Sequence, residues 1–237
     1  MYLIRPASIA RLVTRTTKPF VVGPFRQHFS TSTSKMSNAN AFLSAIESRR
    51  TYYQITPEST IPDSRIQEIV SHAVKHVPSS FNSQSSRVVV LLKDEHKKVW
   101  DFTKDVLKSI VPEDQFPATE QRINGFQNGY GTILFFEDQI PVQELQKNLP
   151  TYADRFPTWA QHTSGMLQLT IWTALEQEGL GASLQHYNPL IDEKIKGEWG
   201  IPELWSLVAQ MPFGKPGGEP GPKEYQPVEE RVKVFGN

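Results

Sequence analysis

The 237-residue sequence contains no cysteine, which excludes disulfide bonds, thiolate metal ligands and a cysteine nucleophile. It also lacks an apolar run of the roughly 18 residues that a membrane-spanning helix needs, and its mean hydropathy is −0.42. The formal net charge is zero, which gives no general argument for binding nucleic acid or a membrane surface. Hydrophobic residues nevertheless make up 38% of the chain, enough for the core of one domain of ordinary size.

Acidic residues are missing from the first part of the chain, where the first carboxylate is Glu47. Residues 1–35 instead carry Arg and Lys among many Ser and Thr residues, with spaced apolar positions. This composition is typical of a mitochondrial presequence, although a disordered basic tail has a similar composition. We therefore predict a presequence over residues 1–35, a folded domain over residues 36–237 and a mitochondrial location. Met36 offers a second start, from which a shorter cytoplasmic or nuclear form would be made.

Hydrophobic periodicity predicts helices and short strands in an irregular order. Amphipathic spacing indicates helices over residues 41–49, 62–77 and 94–110, and a long helix over residues 159–178 that is apolar around much of its girth. Ser64 and Gln67 fit a capping box for the second helix, and Gly179 fits the end of the long one. Short apolar runs predict strands over residues 87–92, 132–136, 182–187, 205–211 and, after an extended arm, 231–235. This pattern predicts an α+β fold with a mixed central β-sheet flanked by helices.

Three polar clusters are candidates for a binding site. Ser48–Tyr53 (SRRTYY) carries two guanidinium groups that match phosphate oxygens, although a solvated helix end uses arginine in the same way. Pro78–Gln84 (PSSFNSQ) offers amides that can satisfy the edge of a heteroaromatic ring, or can form an ordinary turn. Gly179–His186 (GLGASLQH) follows a helix and precedes a strand, the reverse of a dinucleotide-binding fingerprint. Its glycines therefore favour a helix cap and a close approach of the backbone to a flat group.

The sequence contains none of the motifs that mark several common classes of enzyme. It contains no His-Glu-x-x-His zinc motif, no P-loop and no Gly-x-Ser-x-Gly nucleophile motif. His162 and His186 are interpreted as structural histidines, because nothing marks a serine partner for either. The sequence therefore predicts no catalytic side chain and no metal site.

Taken in this order, the three clusters resemble the nitroreductase family of flavoproteins, and most closely its fungal branch, whose members are linked to fatty-acid and oxidative-stress responses. The resemblance covers residues 40–237 and includes Tyr130–Asp138 and the terminal string RVKVF. It implies a nitroreductase-like fold and a homodimer in which a domain-swapped C-terminal arm wraps the partner. It also implies that FMN is the cofactor.

The resemblance further implies roles for particular residues. Arg49, Arg50 and Thr51 would bind the FMN phosphate, and a late basic residue would complete that site; of Lys215 and Lys223, we favour Lys223. The remaining implied contacts are with the flavin ring and ribityl chain, from Tyr53, Ser80, Asn82, Gln84, Gly181, Ala182 and Ser183. Two positions depart from the family pattern. Tyr53 stands where many members carry a basic residue, and Ser85–Ser86 stands where many carry Pro-Trp.

The reaction implied by the resemblance needs no catalytic side chain, because a flavin carries the chemistry. NAD(P)H would be the reducing co-substrate, and the acceptor would be a small molecule such as a nitroaromatic or quinone-like compound. Two alternatives stay open: a flavin-binding regulatory or sensor protein with little turnover, and an α+β binding module without flavin. No nucleic-acid partner and no integral membrane segment are predicted.

Overall fold

The computed structural model describes residues 38–236, so the predicted presequence lies outside the described residues. Within this range eight α-helices and five strands follow one another without a regular βαβ repeat. The helices are α1 (Asn38–Ser48), α2 (Asp63–His76), α3 (Asp94–Ile110), α4 (Phe116–Gln127), α5 (Gln139–Asn148), α6 (Phe156–Gln177), α7 (Asp192–Trp199) and α8 (Val228–Arg231). The strands are β1 (Ile55–Thr56), β2 (Ser86–Leu92), β3 (Gly131–Asp138), β4 (Gly181–Ala182) and β5 (Trp205–Pro216).

The strands form one sheet in the order β1-β5-β3-β2, and β4 also pairs with β5. Every strand pair in the described chain is antiparallel, with Ile133 opposite both Val90 and Met211. The parallel contribution to this sheet is one isolated bridge between Thr51 and Ala182. The predicted α+β fold with a sheet flanked by helices is confirmed, and its mixed character is limited to this bridge.

Strand β3 lies at the centre of the core, because all eight of its residues are buried. Its side chains alternate between the two faces of the sheet. Ile133 and Phe135 pack in a cluster with α2 and α6, whereas Leu134 and Phe136 pack in another cluster with α3, α4 and α7. Helices therefore cover both faces of the sheet, which explains the continuous apolar run in the sequence of β3.

The long predicted helix is confirmed as α6, which begins three residues earlier, at Phe156. Leu167, Ile171 and Leu175 follow the spacing of one face and are buried against the sheet. Met166 and Leu169 are each 42% exposed on the other side of the helix. Gly179 directly follows the helix with φ +81°, a left-handed conformation that glycine adopts without strain.

Two local predictions are wrong. Ser64 and Gln67 do not cap α2; its N-cap is Pro62, without a side-chain cap hydrogen bond, and the helix already begins at Asp63. The strand expected over residues 231–235 is also not formed. Val228–Arg231 is a short helix there, and the following residues are exposed and without regular structure. The alternation of Val232 and Val234 has no effect within the described chain, because a strand forms only where another strand pairs with it.

The strand predicted over residues 182–187 is much shorter than expected. Regular pairing covers only Gly181–Ala182, followed by one isolated bridge between Gln185 and Gln210. Helices α4, α5 and α7 were not predicted, since their apolar residues are few and do not repeat over several turns.

Candidate functional site

The segment that follows α1 lies directly against the turn that follows α6. Tyr52 donates its backbone N–H to the Ala182 carbonyl at 3.0 Å, and Thr51 forms the parallel bridge to the same residue. A Cβ atom on Gly181 would lie 2.8 Å from the Cβ and Cγ atoms of Tyr52, so only glycine allows this approach. The first and third polar clusters of the sequence are therefore brought together by the fold.

The two arginines are held in place by the C-terminal half of α6. The backbone N–H of Arg50 donates to both carboxylate oxygens of Glu176, at 2.9 and 2.7 Å. The Arg49 guanidinium lies 4.3 Å from the centre of the Trp172 ring, a cation–π arrangement. The Arg50 guanidinium donates to the Gly221 carbonyl. Neither guanidinium has a carboxylate within ion-pair distance in the described chain, so both keep charge available for an anion.

Glu176 anchors the backbone at the cost of its own desolvation. Burial raises the pKa of this carboxyl group, while the N–H of Arg50 and the two nearby guanidiniums act in the opposite direction. Beside it, the buried Nε1 of Trp172 has no hydrogen-bond partner in the part of the chain that the structure describes. A buried donor without a partner calls for an explanation, and a bound ligand or a second subunit is one.

The positions of the two late lysines differ. Lys215 Nζ is 3.0 Å from a Glu58 carboxylate oxygen, on the surface beside β1. Lys223 follows Gly221, the residue that Arg50 contacts, by two positions, and its Nζ lies 5.2 Å from the Tyr225 ring centre without a carboxylate partner in the described chain. Of the two lysines, Lys223 therefore lies on the segment that contacts the arginine pair.

The second cluster forms a strained loop between α2 and β2. Phe81, Asn82 and Gln84 all adopt positive φ values, between 48° and 52°. For residues other than glycine each such conformation costs about 1–2 kcal/mol, so other contacts must hold the loop in place. Ser79 Oγ accepts from the Gln84 N–H at 3.0 Å, and the Gln84 carbonyl accepts from the Arg87 guanidinium at 2.6 Å.

A buried carboxyl group supports this loop from beneath. Glu137 is fully buried and accepts hydrogen bonds from the Ser85 and Ser86 hydroxyls, at 2.6 and 2.5 Å. Burial raises the pKa of Glu137, and the two serine hydrogen bonds oppose that increase. The adjacent Asp138 binds the Arg87 guanidinium at 2.8 Å, so the end of β3 holds both sides of residues 85–87.

This loop lies at the opposite end of α6 from the arginine pair. The Phe81 ring packs against Phe156 and Trp159, with ring centres 5.6 and 6.2 Å apart. Trp172 follows Trp159 by thirteen positions, which correspond to about 20 Å of helix at 1.5 Å per residue. One polar group of a ligand therefore cannot contact both clusters of the same chain. Asn82 and Gln84 instead line a cavity of ≈ 380 Å³ between the loop, α2 and α6.

A second cavity, of ≈ 530 Å³, lies beside the joined first and third clusters. Tyr53 and Gln185 contribute to its wall, and the remaining lining residues come from α4. Ala182 and Ser183 have no exposed surface, and the Ser183 hydroxyl accepts from the Gln185 side chain at 3.0 Å. These two residues therefore support the turn from within, and Tyr53 and Gln185 present the accessible groups.

Comparison with known proteins agrees with this geometry. The Nitroreductase family profile matches residues 46–215, from the end of α1 to β5. HBN1 of Saccharomyces cerevisiae is 38% identical over 203 residues, which cover 84% of this chain and 100% of that protein. The chain belongs to the nitroreductase family. It is also 35% identical to the nitroreductase FRM2 of the same yeast, over 80% of this chain and 95% of that one.

The fold of this nitroreductase is shared with a solved relative. The nitroreductase CinD from Lactococcus lactis, in complex with 4-nitrophenol, has a TM-score of 0.75 at 39% identity and covers 82% of this chain and 100% of its own. The resemblance inferred from the polar clusters is thus confirmed, including the fungal branch. Because the family consists of flavoproteins, the chain is a flavin-dependent oxidoreductase of the nitroreductase type.

Several residues that shape this nitroreductase site were not found from the sequence. Glu176 follows Trp172 by four positions on the long apolar helix, so a lone acid on that face could have marked an anchor. Glu137 and Arg122 gave no local signal, because their surroundings come from distant parts of the chain. Gln185 lies in the third cluster, but its position in the wall of the cavity was not predicted. Among residues 38–236 no group of three or more His, Cys, Asp or Glu could hold a metal ion. None of the helices over these residues combines the length and the hydrophobicity of a membrane-spanning segment.

Proposed function

We propose that the protein is an NAD(P)H-dependent FMN oxidoreductase that reduces nitroaromatic or quinone-like acceptors. The observation that carries this proposal is the joined segment Arg49–Tyr53, held on the Gly181 turn with its arginines beside the chain that leads to Lys223. A dianionic phosphate fits such a group of cations, because guanidinium forks bind phosphate oxygens in pairs. The relative CinD has been solved in complex with 4-nitrophenol, which supports a nitroaromatic acceptor.

Different residues would contact different parts of FMN. Arg49, Arg50, Thr51 and Lys223 would bind the FMN phosphate. The flat ring would lie against the turn at Gly181, next to the cavity that Tyr53 and Gln185 line. Ala182 and Ser183 would support that ring only through the turn they stabilise, since both are buried.

A homodimer would complete the site. Ser80, Asn82 and Gln84 lie at one end of α6 and the arginine pair at the other. Two α6 helices packed antiparallel about a two-fold axis would place the loop of one subunit against the arginine pair of its partner. The exposed Met166 and Leu169 lie on α6 between the two ends, where such packing would bury them. The C-terminal arm, whose apolar side chains are exposed, would then pack on the partner.

When bound, FMN supplies the two-electron chemistry, and the residues of this chain bind, orient and exclude water. For a nitro acceptor the overall step is Ar–NO₂ + NAD(P)H + H⁺ giving Ar–NO + NAD(P)⁺ + H₂O. For a quinone, NAD(P)H and one proton give the hydroquinone and NAD(P)⁺. Hydrogen-bond donors such as the side-chain amide of Gln185 can stabilise negative charge that develops beside them.

We further propose that the protein with residues 1–35 acts in mitochondria, in a response to oxidative stress or altered lipids.

The first test is the visible absorption spectrum of purified residues 36–237, with chromatography of any released chromophore. We expect FMN at about one per chain, and NAD(P)H consumption on addition of nitroaromatics or quinones. A colourless protein that does not bind added FMN would contradict the proposal. FMN binding without turnover on either acceptor class would instead favour a flavin-binding sensor.

The second test concerns the phosphate site. Arg50→Ala should weaken FMN binding about tenfold or more, because a charge-assisted hydrogen bond contributes about 1.5–3 kcal/mol, and Arg50→Lys should restore part of the affinity. Arg155→Ala is the matched control, since Arg155 is exposed and paired only with its neighbour Asp154. Equal FMN affinity of the Arg50→Ala and Arg155→Ala proteins would exclude Arg50 from the site.

A further inference from the structure

The cavity beside Tyr53 carries a positive charge that the proposed FMN site does not use. Its lining residues are Tyr53, Gln121, Arg122, Gly125, Phe126 and Gln185. Arg122 lies on α4, the helix that packs over α3 on the same side of the sheet. Among the described residues that line this cavity, Arg122 is the one charged side chain, and the two glutamines add amide donors. The wall therefore combines apolar surface with one positive charge and two amide groups.

Arg122 differs in its partners from three other arginines of the described chain. Arg65, Arg87 and Arg155 each lie within ion-pair distance of a carboxylate. Arg122 has no carboxylate partner in the described part of the chain. Its charge acts on Tyr187, where it partly opposes the increase in pKa that burial causes. A guanidinium without a partner at the wall of a cavity is available for an anionic group from solution.

The cavity lies next to the proposed position of the flavin ring, where an acceptor would be reduced. Tyr53 follows the segment docked on Gly181, and Gln185 follows the same turn and is fixed by its backbone hydrogen bonds to Gln210, at 2.7 and 2.9 Å. Both residues therefore border the place where the flavin ring is proposed to lie. A volume of ≈ 530 Å³ is within the range of small-molecule sites and holds a single substituted aromatic ring with room to spare.

We propose that this cavity is the acceptor pocket and that Arg122, assisted by Gln121 and Gln185, binds an anionic substituent on a flat aromatic acceptor. This inference rests on the proposed function and adds the substrate class: aromatic nitro or quinone compounds that carry a carboxylate. Arg122 would be a residue that determines specificity, and Phe126 would form part of the floor. A phosphate group of NADPH is also an anion that Arg122 could bind. The experiment below distinguishes it from a carboxylate of the acceptor.

The experiment compares two acceptors of nearly the same shape, 4-nitrobenzoate and 4-nitrobenzamide, with the FMN-loaded protein at saturating NADH. We expect wild type to prefer the benzoate. In Arg122→Ala we expect kcat/KM for 4-nitrobenzoate to fall about tenfold or more, as expected for loss of a charge-assisted hydrogen bond, with the value for 4-nitrobenzamide nearly unchanged. Arg122→Lys should keep part of the preference, and Arg155→Ala should leave both values unchanged.

Three outcomes would overturn the assignment. Equal kcat/KM for the two acceptors in wild type would show that the pocket does not select an anion. A parallel loss with both acceptors in Arg122→Ala would assign the residue a structural role. A rise in KM for NADPH but not NADH, with the benzoate preference intact, would place the donor's phosphate at Arg122 instead of the acceptor.

Direct binding separates this inference from the proposed function. Titration calorimetry with unreactive benzoate and benzamide needs no turnover, and FMN content is measured in the same samples. Tighter binding of benzoate than of benzamide, lost in Arg122→Ala, would support the anion site even for a protein that turned over neither acceptor. Turnover of 4-nitrobenzamide without any benzoate preference would retain the oxidoreductase function and exclude the anion site.

Discussion

Glu137 is a buried acid whose hydrogen bonds hold the backbone next to the strained loop. Its carboxyl group accepts from Ser85 and Ser86, and Gln84 directly precedes this pair. We expect Glu137→Ala to lower the free energy of unfolding by about 1–3 kcal/mol, because a hydroxyl that loses its partner when buried pays its full desolvation cost. Thermal or urea unfolding measures this loss.

The same substitution should also weaken cofactor binding, although Glu137 is not proposed to touch the cofactor. If the loop contacts FMN, its displacement should lower FMN affinity in Glu137→Ala more than in Glu137→Gln, whose amide can still accept from one serine. Glu144→Ala, on the surface of α5, is the control. A stability loss with unchanged FMN affinity would show that Glu137 supports the fold and not the loop.

His96 predicts a pH dependence of stability. Its ring is buried between Thr132 Oγ1, at 2.7 Å, and the Gln127 carbonyl, at 3.0 Å, and burial lowers its pKa from 6.5 to about 4. Between these values the unfolded chain takes up a proton that the folded chain does not. The free energy of unfolding should therefore decrease as pH falls from 6.5 towards 4, by up to about 3 kcal/mol from this residue.

The contribution of His96 is isolated by a variant that cannot titrate. The free energies of unfolding of wild type and His96→Gln are measured with urea at pH 7, 6, 5 and 4.5. The difference between the two proteins should narrow or reverse as the pH falls, because only wild type has a buried histidine at position 96 that resists protonation. A constant difference across this range would contradict a buried, neutral His96. His72 and His76 are exposed and present in both proteins, so they do not affect the comparison.

Among the elements, those with several turns of regular periodicity are the ones that the sequence predicts well. Helices α2, α3 and α6 lie within three residues of the predicted bounds, since their apolar faces pack on the sheet. Helix α4 was missed because only Ile123 and Phe126 are buried, which is too few to produce a repeat. Strand β4 is short because the chain after Ala182 meets β5 again only at Gln185.

The sequence predicts those parts of the candidate site whose signal lies in neighbouring residues. Arg49, Arg50 and Gly181 carry signals that local chemistry explains, and the fold brings them together. The positive φ values at Phe81, Asn82 and Gln84 were not predictable, because no glycine marks them and distant groups at the end of β3 hold them. The cavity at Arg122 depends on three separate segments and has no linear signal.

The contact between the Arg49–Tyr53 segment and the turn after α6 gives a steric prediction. In Gly181→Ala the new methyl group would meet the Tyr52 ring at 2.8 Å and push the arginine segment outwards. We expect FMN affinity to fall, with a loss of stability of about 1–3 kcal/mol from overpacking. Equilibrium titration with FMN and thermal unfolding measure the two effects.

Gly197→Ala is the matched control for this substitution. Gly197 lies inside α7 with nothing within 4 Å of an added Cβ, so the change should raise the free energy of unfolding by about 0.5–1 kcal/mol through helix propensity. FMN affinity should not change in this protein. A Gly181→Ala protein that binds FMN like the control would show that the close approach to Tyr52 has no part in the site.

For the whole molecule, exposed apolar side chains point to a missing partner. Seven of them lie on α1, α6 and the C-terminal arm: Phe42, Leu43, Met166, Leu169, Val232, Val234 and the 90% exposed Phe235. Burial of such side chains contributes about 25 cal/mol per Å², which favours association. We expect residues 36–237 to be a dimer in sedimentation or light scattering.

Single substitutions test where the two subunits meet. Leu169→Lys should weaken the dimer and reduce FMN retention together, because the proposed site needs both subunits. Ile110→Lys is the control, since Ile110 is equally apolar and 57% exposed but lies at the end of α3, away from α6. A Leu169→Lys protein that remains dimeric and keeps its FMN would exclude the α6 interface.

The separation of the loop and the arginine pair along α6 has a consequence for inheritance. In the proposed homodimer, an allele that damages only the arginine pair and an allele that damages only the loop would each abolish both sites. In a diploid that carries one of each, half of the dimers would be mixed, and each mixed dimer would combine one intact site with one doubly damaged site. The two null alleles should therefore complement each other, restoring about a quarter of normal activity, whereas two alleles within the same cluster should not.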